Sequence, residues 1–91
     1  MQLLCANANT TGEIEAKEFS HRGDKRLYQV NFHGGTGQVR IKGRIHASFP
    51  EVVIIDISET DDLALPIQVF PEMWVEIVSV SEQITVGIDA K

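Results

Sequence analysis

Three histidines, His21, His33 and His46, are the side chains here whose type suits metal or proton chemistry. Imidazole nitrogens bind zinc-like ions when several of them converge with other ligands. The run Gly34-Gly35-Thr36-Gly37 lies between two alternating segments and reads as a hairpin loop, since glycine takes positive φ without steric cost. That hairpin pairs His33 with Gln38 and sets His46 opposite Lys25. His33 then stands beside the loop and His46 at the far end, separated by roughly 26 Å at about 3.3 Å per strand residue. A three-histidine site within one subunit is excluded on that pairing. A His21/His46 pair is the one combination left for a ligand, and no metal is assigned.

Other chemistry-bearing groups read more plainly as structure. Glu59, Asp61 and Asp62 cluster in one loop, but without the spacing or turn glycine of a calcium-binding loop. Arg22-Gly23-Asp24 matches an integrin-binding tripeptide and is also ordinary turn chemistry. Asn9-Thr10-Thr11 is a glycosylation sequon in form, void without a secretory route. None of the five serines (20, 48, 58, 79, 81) lies in a G-x-S-x-G elbow, and no Ser–His adjacency suggests an activated nucleophile. With no phosphate loop or zinc pattern either, no catalytic residue and no cofactor is assigned, and the chain reads as a non-enzyme. Cys5, the single cysteine, excludes an internal disulfide and reads as an inert buried thiol.

Arg40, Lys42, Arg44 and His46 alternate with Val39, Ile41, Gly43 and Ile45. One strand therefore projects a basic stripe from one face and buries the other. The stripe can grip an acidic protein; as plain solvated charge it also discourages edge-to-edge aggregation. Nucleic acid is the poorer partner, because the chain carries a net charge of −5 and no aromatic platform is interleaved with the basic residues. Val52-Val53-Ile54-Ile55 is apolar on both strand faces, so one face asks for cover from outside the core sheet, such as a neighbouring subunit. Trp74, the single tryptophan, suits a core or interface position, and a sugar-stacking platform is its alternative use. The expected contact residues are thus Arg40, Lys42, Arg44, Val53, Ile55 and Trp74.

The elements that must position these groups follow from hydrophobic period. Apolar residues recur at every second place in 27–32, 39–45 and 84–88, the signature of strands with one buried side. Eight strands are expected, at 2–6, 13–19, 26–33, 38–46, 52–58, 63–70, 73–80 and 83–90. Segment 13–19 also has helical propensity, and its apolar residues Ile14, Ala16 and Phe19 fit neither period. Pro66 makes 63–70 an edge strand or a bulged one. Val30, Phe32, Val39, Ile41, Val75, Ile77, Val86 and Ile88 occupy the buried phase. The expected fold is all-β: a small antiparallel β-sandwich, jelly-roll-like, with little or no helix.

At 91 residues the chain suits one domain, 1–91, with a thin stability margin that oligomerisation would relieve. Residues 1–46 carry a net +3 and residues 47–91 a net −8, a polarity that would let copies dock head to tail. No signal peptide and no membrane-spanning run is read, so synthesis in a cytoplasm is expected.

The order of Asn-Thr-Thr-Gly (9–12), Tyr-Gln-Val-Asn-Phe (28–32), Gly-Gln-Val-Arg-Ile-Lys-Gly-Arg (37–44), Pro-Glu-Met-Trp-Val-Glu-Ile (71–77) and Ile-Thr-Val (84–86) resembles the small β-sandwich virion proteins of tailed bacteriophages. The tight turn Ser81-Glu82-Gln83 departs from the longer glycine-rich turn of that group. The resemblance implies a virion structural protein made in the host cytoplasm, a capsid decoration (cement) protein first and a neck, tail or fibre component second. Its implied partners are copies of itself, as a trimer by analogy, and the major capsid protein or another virion protein. It carries over no catalytic or ligand residue.

Overall fold

The computed structural model describes residues 2–20, 24–58 and 64–90. These form nine strands and no helix: β1 Gln2–Ala8, β2 Gly12–Glu13, β3 Lys17–Glu18, β4 Lys25–Asn31, β5 Gly37–Arg44, β6 Val52–Ile57, β7 Ala64–Gln68, β8 Glu72–Val80 and β9 Ile84–Ile88. One sheet has the order β1-β9-β4-β7; the other runs β2-β8-β5-β6, with β3 also on β8. Every pairing is antiparallel. The inner faces meet in one apolar core, to which Leu4, Tyr28, Val30, Phe32, Val86 and Ile88 contribute from the first sheet and Val39, Ile41, Ile57, Met73, Val75 and Ile77 from the second. The eight residues assigned to the buried phase are all buried. The fold is the small β-sandwich expected from alternation.

Two details differ from expectation. Segment 13–19 is not one strand but two short ones, β2 and β3, both lying along β8. Glu13 pairs with Glu76, yet Lys17 pairs with Met73, so one residue too many lies between them. That one-place slip breaks the period. It lets Phe19 bury while Ile14 is half-buried, each held to β8 or its approach by a backbone bond (Ile14 N–H to Val75 C=O, 2.8 Å; Phe19 N–H to Pro71 C=O, 2.9 Å).

The glycine run 34–37 is not a hairpin loop, because β4 and β5 lie in different sheets. The pairing of His33 with Gln38 therefore does not form. The run is the corner at which the chain crosses the sandwich. His33 (φ 53°) and Gly34 (φ 83°) turn it, and Gly35 N–H bonds back to Phe32 C=O at 2.9 Å. The corner is then fastened to the β8–β9 turn: Thr36 N–H donates to Ser81 Oγ (2.7 Å), whose hydroxyl donates to Thr36 C=O (3.1 Å). Gly37 is required by this approach, since a Cβ there would lie 2.6 Å from the Ser79 carbonyl oxygen.

Pro66 sits in β7, the edge of the first sheet, where its missing N–H costs no ladder bond. The two-sided apolar run of β6 has a local explanation. A bulge against Ile41 and Lys42 inserts an extra residue, so Ile54 and Ile55 both pack on the core while Val52 and Val53 stay exposed.

Candidate functional site

The basic stripe of β5 meets acids from its own chain. β5 lies between β8 and β6, and its register sets Arg40 opposite Glu76 and Asp56, and Arg44 opposite Glu72. Arg40 Nε reaches Asp56 Oδ2 at 3.1 Å, and its Nη1 lies 3.5 Å from Glu76 Oε1. Gln38 adds a side-chain amide donor to Asp56 at 3.0 Å. Arg44 Nε bonds Glu72 Oε2 at 2.6 Å. Lys42 is the centre of the ladder: its Nζ is 3.0 Å from a carboxylate oxygen of each of Glu13, Glu51 and Glu76. It is 6% exposed, the one buried charged side chain among the described residues. A buried ammonium needs such partners, because desolvation otherwise costs several kcal/mol.

The electrostatics follow from this geometry. Hydrogen bonds to Glu13, Glu51 and Glu76, in that order of weight, push the Lys42 ammonium above the usual lysine range. The Lys42 bond in turn holds the Glu76 carboxyl below its ordinary value, and the Gln38 amide does the same, with Arg40, for Asp56. Arg40, Lys42 and Arg44 of the first half thus interleave with Glu51, Asp56, Glu72 and Glu76 of the second on one sheet face. Arg40, Lys42 and Arg44 come together as expected, but as the centre of an internal ion-pair ladder.

Trp74 stands on the same face, opposite Lys42, and is only 5% exposed. The Arg44 guanidinium lies 5.0 Å from its ring centroid, a cation–π contact that covers it. A sugar-stacking platform needs an open ring face, and Trp74 offers none. Of the remaining expected contact residues, Val53 is half exposed on β6 and Ile55 is half-buried against the core.

The two described histidines, His33 and His46, stay apart. His33 Nε2 pairs with Thr85 Oγ1 at 2.9 Å, and His46 Nδ1 with Ser48 Oγ at 2.9 Å. They lie beyond opposite ends of β5, whose eight residues span roughly 26 Å. His21, Arg22, Gly23, Glu59, Asp61 and Asp62 lie outside the described residues, so the His21/His46 pair, the integrin-type tripeptide and the acidic loop do too. Among the described residues no group of three or more His, Cys, Asp or Glu is placed to hold a metal. Among the described residues no helix is long and apolar enough to cross a membrane. Cys5 is buried, and desolvation raises its thiol pKa, away from the reactive thiolate.

Two arrangements escape a reading of the sequence. Asn7 and His33, the two non-glycine residues with positive φ among the described residues, converge on one hydroxyl: Asn7 N–H donates to Thr85 Oγ1 at 3.0 Å, beside the His33 contact. Asparagine at a bulge is the only signal for it. The pair is a surface clasp between β1, β9 and the corner.

The other is an apolar hairpin end. β5 stops at Arg44, so Ile45, expected in the buried phase, is 65% exposed. Phe49 is 55% exposed on the connecting loop, and Val52 and Val53 follow at 48% and 50%. Beside Ile45 lies an open groove of about 310 Å³ lined by Gln68, Val69, Phe70 and Pro71. Exposed apolar side chains grouped in this way mark contact surfaces.

No family model matches the chain, and no curated protein or solved structure matches it.

Proposed function

We propose that the protein is a non-enzymatic structural component of a tailed-bacteriophage virion, a capsid decoration protein that assembles on the particle in many copies. The observation that carries this reading is the division of labour on the second sheet. The basic groups of β5 are spent on acids of the same chain, while Ile45, Phe49, Val52 and Val53 remain for contact with protein. A surface of that kind serves assembly rather than turnover, and the motifs of 9–12, 28–32, 37–44, 71–77 and 84–86 supply the resemblance to virion β-sandwiches. A neck, tail or fibre position is the second form of the same reading, because the same surface would serve there.

The test is the particle itself. Mass spectrometry of purified virions should find the chain, and imaging should locate it on the capsid surface in hundreds of copies. A few copies at one vertex would move it to the neck. Absence from purified particles would overturn the reading.

A further inference from the structure

We propose that residues 9–18 form a strap latched by charge, which opens along β8 while the rest of the sandwich stays folded and so bares the edge of that strand. This goes beyond the virion reading and would hold for a chain with any other role.

Burial marks the limits of the strap. Leu4 and Cys5 on one side and Phe19 on the other lie in the core, but no residue from Asn9 to Glu18 is buried. Its backbone hold on β8 is short. Two ladders of two residues each, with the one-place slip between them, are joined by the Ile14 N–H bond to Val75 C=O. Segments with few buried apolar contacts and exposed backbone bonds open at a small fraction of the global free energy. β8 itself spans nine residues and is paired along its other side with β5, so it keeps its form when the strap leaves.

Charge makes the closed strap a balance of opposed forces. Both ladders set one glutamate directly against another, Glu13 opposite Glu76 and Glu18 opposite Glu72. Like charges so placed are destabilising. The cations that offset them stand one strand further in: Lys42 and Arg40 hold Glu76, and Arg44 holds Glu72. Of these, Lys42 also reaches past β8 to the strap, with its Nζ 3.0 Å from Glu13 Oε1. Glu18 has no ion pair among the described residues. Arg40, Lys42 and Arg44 together face Glu13, Glu51, Asp56, Glu72 and Glu76, so the closed face keeps an excess of negative charge. Opening carries Glu13 and Glu18 away from it. The Glu13–Lys42 bond is therefore the latch, and the Glu18–Glu72 contact works against it.

Native-state hydrogen exchange of the full chain, read residue by residue by nuclear magnetic resonance, follows the opening at the Ile14 amide. In the unmodified chain that amide should exchange at least about a hundredfold faster than the slowest amides of β4, β5 and β9, in a step that denaturant hardly accelerates. Glu13→Gln should speed it about fivefold, because a charged hydrogen bond becomes a neutral one. Glu18→Gln should slow it about twofold, by removing a like-charge pair. Glu51→Gln takes a carboxylate from the same ammonium but from outside the strap, and should leave the Ile14 rate unchanged. A general loss of stability would not give opposite signs at two glutamates of one segment. An Ile14 amide in the unmodified chain that exchanges only as slowly as the core strands would overturn the inference. So would Glu13→Gln and Glu51→Gln acting alike, or Glu18→Gln speeding the exchange.

Discussion

Among the described residues Lys42 carries the largest single electrostatic commitment, three carboxylates on one ammonium. Its removal strands three carboxylates that now share one ammonium. Breaking a buried pair costs about 3–5 kcal/mol, but Glu13 and Glu51 are half open to water and recover part of that as hydration. Lys42→Ala should therefore destabilise the domain by about 1–3 kcal/mol in urea denaturation. The core holds the opposite case. Tyr28 is 1% exposed, and its hydroxyl is buried with no hydrogen-bond partner among the described residues; the same burial raises its pKa. An unmet hydroxyl in an apolar interior costs about 1–3 kcal/mol. Tyr28→Phe keeps the ring and removes the penalty, so its melting temperature should equal or exceed that of the parent. A clear loss of stability would mean that the hydroxyl has a partner after all.

At the scale of elements, strands were legible and their partners were not. Alternation is a local property, so the buried phase of β4, β5, β8 and β9 could be read residue by residue. Pairing is a long-range property. Nothing local distinguishes Gly34-Gly35-Thr36-Gly37 as a hairpin from the same glycines as a corner between sheets, because the deciding contacts are with Ser79 and Ser81. The ladder was half visible for the same reason: the basic residues alternate along one strand, but their acids lie on three other elements and a loop. One consequence concerns Arg44. Reversal to glutamate would set a carboxylate against Glu72 and uncover Trp74, so it perturbs the sheet before it tests any docking. Arg44→Ala is the cleaner probe. It should move the emission of the single tryptophan to longer wavelength and raise its acrylamide quenching, with the β-type circular dichroism unchanged. Unmoved emission would show that Arg44 does not cover the ring.

For the whole molecule, the ladder makes stability depend on acid in a definite direction. Glu76 and Asp56 titrate below their ordinary values when folded. The unfolded chain therefore takes up protons first as pH falls. The stability these carboxylates contribute is present above an ordinary carboxylate pKa of about 4 and lost as pH drops through their lower folded values. Lys42 is shifted upward, so its share is complete below an ordinary lysine value of about 10.4 and fades only above it. Melting temperature should be level from about pH 6 to 9 and fall below about pH 4, with a shallower acid fall in Glu76→Gln. A melting temperature that climbs on acidification would contradict the ladder. The sheet order also dictates when the molecule can exist. β9, late in the chain, lies between β1 and β4 and is their sole bridge in the first sheet. During synthesis the earlier strands must wait, half of the sandwich lacking its middle, until Ile84–Ile88 has emerged. Native structure in the first sheet is thus acquired only once that strand is available to pair. A nascent chain stalled before that strand should be digested by protease far faster than one stalled well beyond it.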